Sequence, residues 1–279
     1  MSITDSVLFM KFQGISFMKK TLIALAVVTS AAVSGSAMAW TTNGTGGSID
    51  VGGTLTPVEK VTPWEVKVGD SVTDLDAKMT LGKKRVDVAI TKSIPVLGIR
   101  TAADKVPFIG VAGISPQIDF KGALDFKNFK SGVAPLTLDV KDNKGKNIGK
   151  LHADLFAGAE YSYVGYWKAK SVMYASKQGS GFYGGLPLSK SASDNNPWET
   201  LKTVFPEAIE HYTDQGTDWA KDGKDFSEDN FGDTGYKYSG FYGAVIKAGT
   251  SLTIDLISPA AGDSDVKWSA SLPVVVSYM

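Results

Sequence analysis

Cysteine is absent from all 279 residues of the sequence. Its absence excludes a disulfide framework, a thiol nucleophile and zinc–thiolate sites. Positive charge is not in excess, because the formal net charge is +0, so a basic surface for nucleic acid is not expected. No cofactor is predicted. The fold must then be stabilised by its apolar core, by metal bound through oxygen, or by a partner chain.

Long apolar runs are also lacking after residue 39. Residues 1–39 themselves are predicted to be removed. Lys19 and Lys20 give a basic start, residues 21–33 are apolar, and Ala37-Met38-Ala39 supplies the small residues that signal peptidase recognises. We predict a signal peptide cleaved after Ala39, with residues 1–17 as an upstream extension. A short membrane anchor is the alternative, although the apolar run is short for a membrane span.

Alternation of apolar and polar residues marks both ends of the remaining chain and predicts strands there. The apolar-face positions are Ile49, Val51, Gly53 and Leu55 at the start, and Trp268, Ala270, Leu272, Val274, Val276 and Tyr278 at the end. Further strands are predicted at 85–90, 136–140, 148–155 and 252–257, with a hairpin turn at 142–145. Short strands separated by turns indicate an all-β sandwich rather than a parallel sheet.

A large insertion on this sandwich is predicted at about residues 161–242, where Gly, Ser, Asp and aromatic residues replace clean alternation. The region also contains the one convincing helix. Asn196 is placed to cap it, Pro197 suits its first turn, and Glu199 has the spacing of a capping box. The predicted class is therefore all-β with short helices in an insertion.

Aromatic side chains crowd this insertion and are the best functional signal in it. Sugar rings have apolar faces that stack on aromatic rings, while Asp and Asn accept hydrogen bonds from sugar hydroxyls. Trp198 is a candidate sugar contact on this chemistry alone. The alternative is that most of these rings pack the insertion against the sandwich.

Three other patterns in the insertion are weak. The glycines at 179–184 have the spacing of a dinucleotide-binding loop, but Pro187 opposes the helix that must follow. Two glutamates near His211 lack a second nearby histidine for a metal site. The acidic run at 214–233 lacks the carboxylate spacing of a calcium loop and is interpreted as a solvated loop. No metal site is predicted.

The N-terminal alternating segment allows two interpretations. Gly44, Gly46 and Gly47 make the approach to Ile49 flexible, so the segment can pair with its own sheet or with a neighbouring molecule. A donated strand supplies the missing backbone ladder and fills the groove with its alternate side chains. An ordinary first strand of a complete sandwich is the simpler alternative, and alternation alone favours it.

Five segments of the predicted mature chain match one known family in the same order. They are residues 47–56, 64–69, 113–118, 182–186 and 268–279. In these segments the chain resembles the FaeG-type fimbrial adhesins of enteric bacteria, and the signal at 18–39 is similar as well. Tyr278 lies where pilins of the chaperone–usher pathway have a near-terminal tyrosine.

This resemblance implies an incomplete immunoglobulin-like β-sandwich, residues 57–279, that is completed by a donor strand from a neighbouring copy. The donor strand would be residues 40–56, with Ile49, Val51, Gly53 and Leu55 filling the groove. The implied groove and chaperone-binding strand is C-terminal, with Leu272, Val274, Val276 and Tyr278. The implied partners are copies of the subunit, a periplasmic chaperone and an outer-membrane usher. Export through the periplasm would then end in a fimbria on the cell surface.

The same resemblance implies an adhesin without catalysis that binds galactose-bearing glycans of host glycoproteins or glycolipids. The residues nearest the matching segment at 182–186 are Tyr174, Lys177, Phe182 and Tyr183, which join Trp198 as candidate sugar contacts. Two other functions fit the residues: a secreted β-sandwich enzyme that uses acids from the 214–233 run, and a monomeric carbohydrate-binding module.

Overall fold

The computed structural model describes residues 42–45, 49, 51–56, 61–219, 225–259 and 265–279. The predicted signal peptide, residues 1–39, lies outside them. The described parts are mostly strand, which confirms the predicted all-β class with short helices. The strands are β1 (Trp64–Val68), β2 (Arg85–Ala89), β3 (Ile94–Thr101), β4 (Phe108–Ile109), β5 (Pro116–Asp119), β6 (Val133–Asp142), β7 (Asn147–Val164), β8 (Lys168–Met173), β9 (Phe226–Ser227), β10 (Lys237–Ile246), β11 (Ser251–Leu256), β12 (Trp268–Ala270) and β13 (Val275–Tyr278). The helix is α1 (Pro197–Val204), and 3₁₀ turns occur at Phe126–Asn128, Lys190–Ala192 and Pro206–Ile209.

Residues 1–57 and 58–279 form two separate compact units. Within the first unit, the described residues contain no strand. Among the described residues of this unit, Ile49, Val51 and Leu55 are 84%, 90% and 97% exposed.

Strand β7 organises the second unit. Its first half pairs with β6 and β11, and its second half pairs with β10 and β8, all antiparallel. The main sheet has the order β1-β3-β10-β7-β11-β2, with β12 joined to β6 and with β9 parallel to β8. A separate two-stranded sheet pairs β5 with β13. The strands predicted at 85–90, 136–140, 148–155 and 252–257 are found in β2, β6, β7 and β11.

The predicted hairpin at 142–145 joins β6 to β7. The backbone N–H of Gly145 donates to the carbonyl of Asp142 at 3.0 Å, and Asp142 N–H donates to Lys146 O at 2.9 Å. Gly145 has a φ of +80°, a left-handed conformation that glycine adopts without steric cost. The turn chemistry at these residues was therefore sufficient to predict the hairpin.

Glycines create a flat seat for helix α1 on three neighbouring strands. Gly243 of β10 lies opposite Gly98 of β3 on one side and opposite Gly158 of β7 on the other. A Cβ atom on Gly158 would lie 2.5 Å from Cβ of Pro197, so side chains in this row would displace the helix. Over this seat the helix and the following 3₁₀ turn form a second apolar cluster with Phe156, Leu201, Phe205, Ala208, Ile209, Phe241 and Val245.

The start of helix α1 differs from the prediction in one respect. Asn196 occupies the N-cap position, but its side chain makes no capping hydrogen bond. The backbone N–H of Trp198 donates instead to Oε1 of Glu160 at 3.2 Å. This carboxylate comes from the buried part of β7, so the helix is capped by a tertiary contact that the local sequence does not reveal.

The insertion is predicted at about 161–242, a range that includes the end of β7 and the start of β10. Strand β7 runs to Val164 and β10 begins at Lys237, so the segment between them is residues 165–236. Tyr161 and Tyr242 belong to central strands and are buried. They lack clean alternation because both faces of these strands are covered where α1 packs on the sheet.

Candidate functional site

An apolar row on β1 is incompletely covered, although it faces the core. Val66 pairs with Ile99 and Val68 pairs with Leu97, and directly paired residues share one face of a sheet. Ile99 and Leu97 are 0% exposed, whereas Val66 is 41% and Val68 is 56% exposed. Within the described residues β1 pairs only with β3. The core is therefore closed over β3 and open over the edge strand next to it.

The C-terminal segment has a second half-covered apolar row. Its alternate side chains pack against the core yet remain partly exposed; they are Trp268, Ala270, Leu272, Val274, Val276 and Tyr278. Strand β12 pairs with β6, and β13 pairs with β5. In the described part of the chain each of these two strands is paired along one edge only. This leaves an edge with backbone groups available to another strand.

A polar and aromatic cleft of about 630 Å³ lies elsewhere on the second unit. Its rings come from the end of β7, the β7–β8 turn and the start of β10; they are Tyr161, Tyr163, Trp167, Tyr236 and Tyr238. Its polar edge comes from two loops and consists of Lys177, Gln178, Ser180, Glu228, Asp229, Asn230 and Asp233. Aromatic rings beside many polar side chains suit a polar ligand, because the rings give apolar contact and the polar groups form hydrogen bonds.

The rings of the cleft hold one another in place. Tyr161 stacks on Tyr163 with centroids 5.6 Å apart, and Tyr163 meets Tyr236 edge-on at 5.7 Å. Tyr161 also meets the buried ring of Phe231 at 5.9 Å, which anchors the group to the core. Trp167 remains 68% exposed at the rim. The result is a rigid aromatic surface that loses little conformational freedom when a ligand binds.

The acids at the cleft edge brace the loops that form it. Glu228 accepts hydrogen bonds from the Ser176 and Ser180 hydroxyls at 2.8 and 2.9 Å. Oδ1 of Asp229 accepts the backbone N–H of Phe231 at 2.5 Å. Burial raises the pKa of the Asp229 carboxyl, although these amide hydrogen bonds oppose the change.

The hydroxyls of Tyr161, Tyr163 and Tyr238 stay protonated at neutral pH. Burial raises the pKa values of Tyr161, Tyr163 and Tyr238 above their ordinary value, and nearby acids, Asp229 among them, add to the effect. The hydroxyl of Tyr161 is already paired with Ser227 Oγ at 2.9 Å. The cleft thus presents neutral rings and hydroxyls beside an acidic edge.

Comparison with known proteins gives a family. A family model described as "Fimbrial, major and minor subunit" matches residues 18–279. The chain is 28% identical to K88 fimbrial protein AC of Escherichia coli, over 94% of this chain and 100% of that protein. It is 33% identical to K88 fimbrial protein AD of Escherichia coli, over 63% of this chain and 67% of that protein. The F41 fimbrial protein of Escherichia coli is 28% identical, over 94% of this chain and 100% of that protein.

The chain belongs to the K88 fimbrial family. It is therefore a subunit that assembles with copies of itself into a fimbria on the cell surface. The family is not known for enzymatic activity. Over the ranges that the structure describes, no helix has the length and apolar character to cross a membrane, and no three acidic or histidine side chains form a group suited to a metal ion.

The structure separates the predicted sugar contacts of this fimbrial subunit. Lys177 lines the cleft. Phe182 is 0% exposed and stacks on Tyr242 at 5.5 Å. A ring without exposed surface cannot stack on a sugar, so Phe182 is corrected to a core residue. Tyr183 is half-buried beside Phe126, with centroids 5.8 Å apart.

The other two predicted contacts of the fimbrial subunit lie outside the cleft lining. Tyr174 is half-buried at the end of β8, where its backbone N–H donates to Ser227 O at 3.4 Å. Trp198 lies on helix α1, packs against the second apolar cluster and has Lys202 Nζ 4.6 Å from its ring centroid.

The cleft tyrosines were not singled out from the sequence, although a signal was present. Tyr161 and Tyr163 are two residues apart, and so are Tyr236 and Tyr238. In a strand this spacing places both rings of each pair on one face. Two such pairs in one fimbrial subunit indicate an aromatic surface across neighbouring strands, because β7 and β10 pair with Tyr163 opposite Tyr238.

Proposed function

We propose that this fimbrial subunit polymerises by donor-strand complementation and binds host glycans in the aromatic cleft. The observation that carries the first part is the uncovered, core-facing row on β1. Valines at 41% and 56% exposure beside fully buried partners are what a sandwich lacking one strand would show. The half-covered C-terminal row supplies a second apolar surface of the same kind.

The matching donor is the N-terminal segment of another copy. Ile49, Val51 and Leu55 alternate along the chain and are nearly fully exposed, so they are free to be buried elsewhere. Burial of each such side chain is worth about 1.5–3 kcal/mol. The donated backbone also pairs with a free strand edge, so that assembly requires no nucleotide. Gly53 belongs to the same alternating row.

Before assembly the open slot would expose apolar surface and unpaired backbone groups. A periplasmic chaperone that lends a strand to the C-terminal segment would cover both. An outer-membrane usher would then exchange the chaperone strand for the donor strand of the next subunit. The chaperone contact is proposed for the row that ends in Leu272, Val274, Val276 and Tyr278.

Deletion of residues 42–55 tests the polymerisation proposal. The truncated subunit should still bind the chaperone, because its slot is intact, but it should not form fibres. A milder pair of variants is Val51→Asp, on the donor face, against Thr54→Asp, on the opposite face. Electron microscopy and sedimentation of the fibres measure the result. Normal fibres from the deletion variant would rule the proposal out.

The glycan proposal is supported by the composition of the cleft. Its accessible rings, Tyr163, Trp167 and Tyr236, offer flat apolar surfaces to a sugar ring. Lys177, Gln178 and Asn230 place polar groups at the edge. Host glycans that end in galactose are the proposed ligands. An acidic edge disfavours a negatively charged sugar, since Asp229 and Asp233 lie there.

Two tryptophans test the location of the glycan site. Trp167 lines the cleft, whereas Trp198 lies on helix α1 and was predicted from sequence. Fibres carrying Trp167→Ala should lose binding to a glycan array, and fibres carrying Trp198→Ala should keep it. Loss of binding in Trp198→Ala alone would move the site to the helix. Binding of no glycan by unmodified fibres would sink the glycan proposal and leave the polymerisation proposal intact.

A further inference from the structure

Strand β5 lies between β13, which is the C-terminal strand, and the cleft. Along one edge it pairs with β13, from Val275 opposite Asp119 to Tyr278 opposite Pro116. Along the other edge it bonds to the segment at 182–183. Phe182 N–H donates to Pro116 O at 2.7 Å, and Ile118 N–H donates to Tyr183 O at 2.8 Å. The segment just before this one, residues 177–180, lines the cleft.

Gln117 holds that cleft turn with its side chain. The side chain leaves β5 and is buried at 7% exposure. Its Nε2 donates to Ser180 O at 3.0 Å, and its Oε1 accepts the N–H of Gly179 at 2.9 Å. Gly179 has a φ of +92°, so the turn adopts a backbone that depends on glycine and on these outside contacts. Gln117 is therefore a positioning residue for the cleft turn.

Ser115 connects the same turn to the end of the chain. Its backbone N–H donates to Met279 O, and its carbonyl accepts Met279 N–H, both at 3.1 Å. Its hydroxyl donates to Gly179 O at 2.8 Å. One residue thus bonds both to Met279, which directly follows β13, and to a residue that lines the cleft.

We propose that β5, through Gln117 and Ser115, couples occupancy of the assembly slot to the glycan cleft. The C-terminal strand, paired along one edge only, opens more readily than a strand paired along both. A donor strand on its free edge would hold β13 against β5, and β5 would then hold the Gly179 turn in its binding shape. A subunit inside a fimbria would bind glycan more tightly than a free subunit. This inference rests on the proposed function.

The coupling must also act in the reverse direction. If an occupied slot strengthens glycan binding by some factor, bound glycan strengthens donor-strand binding by the same factor. Binding at one of two coupled sites usually changes the affinity of the other on the order of tenfold. A fimbria under load while attached to a host surface would then be more resistant to dissociation of its subunits than an unattached one.

Hydrogen exchange tests the coupling without any glycan. The subunit with residues 42–55 deleted, which the proposal expects not to form fibres, is measured alone and with an excess of a synthetic peptide of residues 42–56. The peptide should slow exchange of the Gly179 and Phe182 amides on the order of tenfold, and leave the hairpin amide of Gly145 unchanged. If the peptide protects β13 but leaves Gly179 and Phe182 unaffected, the proposal is wrong.

Three variants assign the effect to the named contacts. Gln117→Ala and Ser115→Ala should each weaken the slowing at Gly179 while the peptide still protects β13. Ser115→Ala removes one hydroxyl and keeps the backbone pairing with Met279, so it serves if Gln117→Ala does not fold. Asn128→Ala is the matched control, because it removes an exposed side-chain amide bonded to Asp125 at 2.7 Å. Full slowing in both Gln117→Ala and Ser115→Ala would overturn the assignment.

A glycan measurement separates the coupling from the proposed function. Albumin carrying galactose-terminated chains is the probe, with the subunit tested alone and with the peptide. The peptide should raise affinity on the order of tenfold. Equal affinity with and without the peptide would refute the coupling while glycan binding stands. If neither form binds, the glycan proposal fails, and the exchange measurement still decides whether β13 and the cleft turn are coupled.

Discussion

A Cβ atom on Gly243 would lie 2.6 Å from Cδ2 of Leu201 in helix α1. Leu201 is fully buried at the centre of the second apolar cluster and cannot withdraw into solvent. The glycine at this position therefore sets how closely the helix approaches β10. The seat is connected to the cleft because Glu160 of β7 caps the helix, and β7 also carries the cleft residues Tyr161 and Tyr163.

Replacing Gly243 with alanine is expected to destabilise the subunit. Overpacking of a filled core costs about 1–3 kcal/mol, since Leu201 or the helix must shift. Gly240 on the same strand is the matched control, because its added Cβ would meet its nearest neighbours at 3.4 Å, an ordinary contact distance. Urea unfolding of both variants gives the comparison. Equal unfolding free energies would show that the helix seat is adaptable.

Phe182 is expected to act through stability rather than through ligand contact. Its ring is enclosed by Trp64, Phe231 and Tyr242, with centroid distances of 5.6, 5.9 and 5.5 Å. Phe182→Ala should lower the free energy of unfolding by about 3–5 kcal/mol. Tyr183→Ala, at a half-buried neighbour, should cost less. A Phe182→Ala subunit of unchanged stability that loses only glycan binding would contradict this assignment.

Two features were predictable from the sequence: the alternation of the C-terminal segment, and the strands at 85–90, 136–140, 148–155 and 252–257. Each of these segments has one buried face and one solvent-exposed face. Local chemistry also placed α1, through Pro197. Its cap was not predictable, since Glu160 is distant in sequence. The binding residues were harder again. Phe182 and Tyr163 are both aromatic residues near a glycine or polar segment, and only the packing of β5, β7 and β10 decides which ring is buried.

Asp229 and Asp119 should give opposite pH dependences. Burial raises the pKa of the folded-state Asp229 carboxyl, so its contribution to stability is present below the unfolded pKa and is lost as pH rises through the folded pKa. Hydrogen bonds from Lys121 lower the pKa of Asp119, so its contribution is present above the unfolded pKa and is lost as pH falls through the folded pKa.

Unfolding of the two Asp→Asn variants between about pH 3 and pH 6, a range that brackets the ordinary Asp pKa of about 3.9, measures both effects. As pH rises, the wild-type subunit should lose stability relative to Asp229→Asn and gain stability relative to Asp119→Asn. If the stability of the wild-type subunit rises with pH relative to both variants, burial does not govern the pKa of Asp229.

Val68 and Val106 separate a core-facing exposed valine from an ordinary one. They are 56% and 58% exposed in the isolated chain, but Val68 lies on the core-facing row of β1 and Val106 lies in a loop. For the single subunit, Val68→Ser and Val106→Ser should each change the free energy of unfolding by less than about 0.5 kcal/mol, as is usual for surface sites.

The fibre should distinguish the two valines. If a donor strand covers the row, Val68→Ser weakens each subunit junction by about 1 kcal/mol, roughly fivefold in dissociation, because a half-exposed valine gains about half of its full burial energy there. Val106→Ser should leave the junction unchanged. Sedimentation of fibres across a guanidinium series gives the midpoint of depolymerisation for each variant. A Val68→Ser midpoint equal to that of Val106→Ser would mean that the exposed row on β1 does not receive the donated strand, and the slot would have to lie along the C-terminal row alone.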